Sequence, residues 1–350
     1  MKPTTKTLTT ICLIAFATLN GFAQSGSWTM KAPMPTPRWN SASAVVNGEL
    51  YVVGGEFQFF GFCTDVVEAY NPATDVWRST QPLPYIACGA RAASVNGLLY
   101  VIGGGHALPD TSYATVSIYH PATDTWTMGS PMPVAKANFV TAVVNGKIYV
   151  LGGQVAETGN FLADAEIYDP SLDEWSAIPP LPAPRGLAAG AAVGNKIYIF
   201  GGNSGIRNNT VFEFDTLTNR WTTQTPMPTA KYSHFSAALH GLVYVMGGST
   251  DDAGDVATVD VYDPVDDSWS TGIPLPQTLQ QAAAQTIGDS IFVTGGDTYP
   301  IINANTYQFT VPTVGPPTTK DQCKNGGWQN FNQPRFKNAG DCNRYVKAAN

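Results

Sequence analysis

The chain has 350 residues, with 19 Lys and Arg against 26 Asp and Glu, a formal charge of −7 at pH 7. That balance excludes a nucleic-acid binder built around a basic face. Its 34 Gly and 26 Pro suit many short strands joined by turns, and beyond the N-terminus no stretch approaches the roughly 20 apolar residues of a membrane-spanning helix.

The first predicted element is an export signal over residues 1–23. Lys2 and Lys6 precede an apolar run from Ile11 to Leu19, and Gly21-Phe22-Ala23 offers a small-x-small cleavage site. Cleavage there leaves 17 basic against 26 acidic residues, a formal charge of −9, and four cysteines, Cys63, Cys88, Cys323 and Cys342. An even count in an exported chain favours disulfides over metal ligation, and no C-x-x-C spacing argues for zinc.

Residues 24–310 carry a repeat. Gly-Gly pairs begin at Gly54, Gly103, Gly152, Gly201, Gly247 and Gly295, at steps of 49, 49, 49, 46 and 48 residues. Three positions before each stands an aromatic: Tyr51, Tyr100, Tyr149, Tyr198, Tyr244 and Phe292. A period near fifty marks one supersecondary unit repeated, each needing its neighbours to bury its faces. In the third unit, Thr141-Ala142-Val143-Val144 leads through the Asn145-Gly146 turn into Lys147 to Leu151, which Gly152-Gly153 stops. A third strand, Ala165 to Tyr168, is followed by Asp and Pro turn chemistry, and Trp175 opens a fourth. Four such antiparallel strands form a propeller blade. Small residues in the first strands, such as Ala188-Ala189-Gly190-Ala191-Ala192, suit the crowded axis.

Trp77, Trp126, Trp175, Trp221 and Trp269 mark outer strands, each with Pro five and seven residues later. The sixth unit lacks that Trp, whereas Trp28, with Pro33 and Pro35 at the same offsets, precedes the first unit. The expectation is an all-β, six-bladed propeller whose last blade is completed by the N-terminal strand, leaving only short, protected edges.

From Trp28 to about Thr310 the combination of Gly-Gly, Tyr and Trp resembles the kelch-repeat family. The resemblance implies propeller blades. The same repeats serve intracellular adaptors, copper-containing galactose oxidase and the periplasmic N-acetylneuraminate epimerase, so fold alone does not select a function. Residues 311–320 read as a Pro/Thr-rich linker. Residues 321–350, with Cys323, Gly326-Gly327-Trp328 and Cys342, resemble a two-cysteine tail at the C-termini of exported bacterial proteins, which implies residence outside the cytoplasm.

Cys63 falls in the loop between the second and third strands of blade one, and Cys88 in the link leaving that blade, so both reach one face and are expected to pair. Cys323 and Cys342 are expected to staple the tail, which is too small for a core of its own.

Ligands of propellers usually meet the channel mouth on the face where those loops and links emerge. Arg38, Lys136, Arg185 and Lys231 recur there at one position of four units, Arg91 lies near the corresponding Ala87, and Trp39, Tyr232 and His234 flank them. Such a ring is a candidate site for an anionic glycan or acidic peptide; equally, each cation fits a tie between blades. No metal or other cofactor is expected: His106 and His234 belong to opposite blades, and His120 and His240 to turns of the other face. The copper-ligand constellation of galactose oxidase has no match, and Asp251 to Asp255 lacks EF-hand spacing. No catalytic motif stands out. The expected function is therefore an exported, monomeric scaffold for a protein or glycan. The alternative is a carbohydrate-active propeller of the epimerase type, with Arg38, Arg91 or Arg185 holding a substrate carboxylate.

Overall fold

The computed structural model describes residues 26–58, 62–107, 110–311, 319–324 and 339–349. The expected export signal, most of the linker and Trp328 lie outside these residues.

Six four-stranded antiparallel sheets surround an axis. Blade one comprises Ala42–Val46, Glu49–Val53, Val67–Asn71 and Val76–Ser79, and blades two to five repeat that meander. Blade six takes Ala283–Ile287, Ser290–Thr294 and Thr306–Thr310 from the end of the repeat, and its outer strand is Ser27–Lys31. Trp28 pairs with Phe309 in that ladder, their rings 4.9 Å apart. The closure expected from Trp28 is thus present. Each outer strand begins one residue before its Trp, not at it.

Those tryptophans join the blades. Trp28, Trp77, Trp126, Trp175, Trp221 and Trp269 each donate an indole N–H to a carbonyl of the link from the preceding blade, at 2.8–3.2 Å. Four blades add a carboxylate bridge. Asp75, Asp124, Asp173 and Asp267 each accept from a Tyr hydroxyl of their own blade and from a backbone N–H of the preceding link. Blade four, with Phe214 and Asn219 at those positions, lacks it.

Between blades lie the apolar cores. Tyr51 packs with Tyr119, and Tyr198 with Tyr262, each pair drawn from adjacent blades. The Gly-Gly pairs have a steric purpose: a Cβ on Gly54, at φ +59°, would stand 2.4 Å from the Ala87 carbonyl oxygen. After each pair the chain runs into a short accessory hairpin or turn, such as Glu56–Gln58 with Phe62–Cys63 and Asp297–Thr298 with Ile301–Ile302. These segments crown one face. The Asn-Gly and Asp-rich turns occupy the other.

In the tail, a 3-10 turn at Lys320–Cys323 and a helix at Ala339–Ala349 are joined by the Cys323–Cys342 disulfide. Both sulfurs and Val346 form the small buried centre of this module. Among the described residues, no helix is long and apolar enough to cross a membrane.

Candidate binding face and axial channel

Where the links meet the axis, one residue per blade adopts positive φ: Asn40, Gly89, Asn138, Leu187, Ser233 and Gln281. Each donates its backbone N–H to the carbonyl of its counterpart in the preceding blade, at 2.7–3.1 Å. Asn40 donates to Gln281, and the circle is complete. This girdle frames the channel mouth on the hairpin face.

The recurrent cations do not open on that mouth. Arg38 is 0% exposed, and its guanidinium donates to Glu68 at 2.6 Å and to the Val52 carbonyl at 2.9 Å. Lys136 meets Glu166 at 2.5 Å, equally buried. Lys231 donates to Asp260 at 2.6 Å and Thr258 at 2.8 Å. Arg185 has no carboxylate; it donates to Thr210 and the Pro184 carbonyl, and its guanidinium lies 5.1 Å over the Phe212 ring. Each contact joins the link entering a blade to that blade's own strands, so these are ties within a blade rather than between blades. The acids sit in third strands, Glu68 and Glu166 buried and Asp260 half-buried.

The missed signal was a paired substitution. Blade by blade, the two positions hold Arg38 with Glu68, Ala87 with Ser117, Lys136 with Glu166, Arg185 with Phe212, Lys231 with Asp260, and Leu279 with Tyr307. A buried charge needs a partner, so cation and acid appear or vanish together, and Phe212 substitutes its ring face for a carboxylate.

Arg91 behaves differently. It begins the innermost strand of blade two, Arg91–Val95, and lines the axial channel, a cavity of about 420 Å³. Its Nη1 donates to the Ala90 carbonyl at 2.9 Å, and burial lowers its guanidinium to about 10. His234 lines the same channel from blade five. Burial, then the nearby Lys231, lowers its imidazole to about 3, so the ring is neutral with Nε2 on the Phe200 carbonyl at 3.0 Å. His106 lies in the accessory hairpin of blade two, and among the described residues no His, Cys, Asp and Glu converge as a metal site.

Around the girdle, Trp39 exchanges backbone hydrogen bonds with Glu56, at 2.8 and 3.0 Å. Asp297 pairs likewise with Gln280. Burial raises the Asp297 carboxyl to about 7, aided by the charges of Asp255 and Glu56 and opposed by a hydrogen bond from Gln280. Tyr232 stacks under Arg207, 4.7 Å from its ring centre, and Arg207 is ion-paired with Asp251. Further out, the hairpins and links of blades six and one expose Tyr299 (70%), Ile301 (61%), Phe62 (49%), Phe57 (40%) and Ile86 (39%).

Two family descriptions match. The KLHDC2/KLHL20/DRC7 Kelch-repeats domain covers residues 138–314, and the Attractin/LZTR1 beta-propeller covers residues 22–210. The chain belongs to the kelch-repeat family.

Human Kelch repeat and BTB domain-containing protein 12 is 42% identical to this kelch chain over 57 residues, 15% of the chain and 9% of that protein. Human Kelch-like protein 30 is 48% identical over 54 residues, 15% of the chain and 8% of that protein. The chain thus spans less than a tenth of the length of either relative. The solved structure of YjhT superposes with a TM-score of 0.69 at 20% identity, covering 79% of this chain and 96% of that one, which is a likeness of fold.

In the kelch propeller the Cys63–Cys88 disulfide fastens the accessory hairpin of blade one to the link into blade two, with Cα atoms 5.4 Å apart. Both cysteines lie on the hairpin face, as their positions in the repeat led us to expect, and both are buried. The disulfide therefore holds Phe62 beside the blade-two link.

Proposed function

We propose that this kelch propeller is an exported scaffold that binds a protein or glycan partner on its hairpin face, beside the girdle at blades six and one. The observation that carries the reading is the row Tyr299, Ile301, Phe57, Phe62 and Ile86, apolar side chains exposed on hairpins and links of neighbouring blades. Isolated exposed apolar residues are ordinary, but a group on one face of successive elements marks an interaction surface. Phe57 and Phe62 lie 6.3 Å apart and are steadied by the adjacent disulfide, so little ordering cost attends their use. Aromatic side chains serve protein anchors and sugar faces alike. With Arg38, Lys136 and Lys231 consumed by ion pairs, an anionic partner is no longer required. The proposed export, as a monomer, draws support from the N-terminal pattern and from two disulfides.

The test is a glycan and peptide array probed with the mature chain and with a Phe57→Ala, Phe62→Ala, Tyr299→Ala variant. Binding by the parent that the variant loses supports the assignment. Binding unchanged in a folded variant rejects this face.

A second reading, a carbohydrate-active propeller, is favoured by one feature: Asp297 and Glu56 are buried carboxyls at the mouth, and the first titrates near neutrality. A carboxyl poised there exchanges protons with a sugar hydroxyl at physiological pH. Mutarotation assays on array hits, repeated with Asp297→Asn, separate the readings. Turnover that the variant abolishes supports catalysis, and binding without turnover leaves the scaffold.

A further inference from the structure

We propose that the stapled C-terminal module is a docking surface for a linear polyuronate, an acidic polysaccharide whose carboxylates recur along its length. This surface is separate from the hairpin face, and binding to it does not depend on export, so the two proposals fail independently.

Charge is divided sharply along this chain. Residues 24–310 hold 11 Lys and Arg against 24 Asp and Glu, whereas residues 311–350 hold six against two. Segregation of that kind gives the tail the opposite sign to the propeller that carries it. In the helix Ala339–Ala349, Cys342 and Val346 stand one turn apart and with Cys323 form the buried centre. Asn343, Arg344 and Lys347 share another face. The Cys323–Cys342 disulfide sets that face beside the 3-10 turn, so that Lys320, Lys324, Arg344 and Lys347 line one open cleft of about 550 Å³. All four cations are exposed. Asp321 pairs with Lys324, and Asp341 with Arg344. Among the described residues, Lys320 and Lys347 have no ion pair, so the cleft keeps an excess of positive charge.

The chemistry of the cleft selects the partner. Among the described residues no apolar side chain lines it, and a protein interface or an inserted lipid needs such an anchor. Exposed cations bind weakly one at a time, so a ligand held there must engage several together, as a polymer with repeated charges does. Lysine, a point charge on a flexible stem, suits carboxylates that arrive in varied positions. The acidic propeller on the same chain disfavours a densely charged partner such as nucleic acid or an anionic membrane. A slender polyuronate, with its charges a sugar apart, enters the cleft against the least repulsion.

The test is binding of the mature chain to immobilised polygalacturonate, with dextran as the neutral control. Wild type should bind polygalacturonate alone, and should be released in about 1 M salt, where charges are screened within ~3 Å. A variant carrying Lys320→Gln, Lys324→Gln, Arg344→Gln and Lys347→Gln should bind about tenfold more weakly or less, the loss expected when a multivalent contact is dismantled. A charge-matched variant carrying Lys31→Gln, Arg78→Gln, Lys147→Gln and Arg220→Gln removes four propeller cations that contact solvent, and should bind as wild type does. Lys320→Gln with Lys347→Gln breaks no ion pair among the described residues; it should lose part of the affinity, and it serves where the fourfold tail variant does not fold. No binding by wild type, equal binding by a folded tail variant, or an equal loss in the charge-matched variant overturns the site. Tighter binding to phosphatidylglycerol vesicles or to duplex DNA than to polygalacturonate overturns the polyuronate assignment.

Discussion

Arg38 and Glu68 form a 2.6 Å ion pair inside blade one, and the equivalent positions of blade six hold Leu279 and Tyr307, packed in apolar contact. One backbone geometry therefore accepts either chemistry, provided both members change. Breaking the pair is the damaging step. Glu68→Ala strands a buried guanidinium and should cost about 3–5 kcal/mol, whereas Arg38→Leu with Glu68→Tyr should recover most of that loss. Denaturant melts of Arg38→Leu, Glu68→Tyr and the double variant give the coupling directly. An additive result would mean the pair contributes nothing as a pair.

Closure of blade six predicts a stability cliff at the N-terminus. Removing residues 26–35 deletes Ser27–Lys31 and the Trp28 bond to the Ile273 carbonyl, exposing the edge of Thr306–Thr310. An unpaired edge invites intermolecular pairing. The truncated chain should aggregate or lose its cooperative transition, read by light scattering and calorimetry. A monomeric truncation with an unchanged melt would refute the closure.

Asp297 predicts a pH dependence of defined sign. Its carboxyl is raised to about 7 from 3.8, so the fold holds that proton where the unfolded chain has released it. This contribution to stability is fully present below pH ~4 and declines as pH rises through about 7. Asp297→Asn should therefore melt higher than wild type at about pH 8, and the difference should shrink at about pH 5. A constant difference at both pH values would assign the effect to packing instead.

The carboxylate bridges predict the opposite slope in acid. Hydrogen bonds from Tyr70 and from the Ala32 N–H lower Asp75, and the bonds from Tyr119 and the Gln81 N–H lower Asp124. Their contribution is present above the ordinary carboxylate range and is lost as pH falls through the depressed values. Replacing Asp124 by Asn should flatten the acid limb of a melting-midpoint profile. If the limb is unchanged, these bridges are not what acid breaks.

Opening the Cys63–Cys88 disulfide should cost about 3 kcal/mol, the loop entropy expected for the 25-residue separation. A Cys63→Ser, Cys88→Ser variant should also bind its array partner more weakly, since Phe62 loses its anchor. Retained affinity would place recognition away from that hairpin.

The fold was legible because its determinants are local and repeated. Gly-Gly pairs recur at steps of 46–49 residues, a tryptophan with two prolines marks all six outer strands, and six copies average away local ambiguity. Trp28 disclosed the closure because its offsets to Pro33 and Pro35 match five other strands. The site was harder to read because burial is a tertiary property. Arg38 and Lys136 look like a surface ring until Glu68 and Glu166, each thirty residues later, are read with them. Arg91 was visible as a cation near the mouth, but only the sheet places it inside the channel. Asp297 carried no signal at all: its titration depends on burial and on Glu56 and Asp255, from two other blades.

The six backbone bonds among Asn40, Gly89, Asn138, Leu187, Ser233 and Gln281 have no first or last member, although the polypeptide does. At the axis, the place where the chain starts is therefore invisible. A circular permutant cut in any link on the periphery, with the old termini joined so that Ser27–Lys31 keeps its ladder, retains all six bonds. Adding or losing a whole blade is a different matter. It changes the angle at every joint of the hoop at once, so blade number is set collectively and cannot drift one unit at a time.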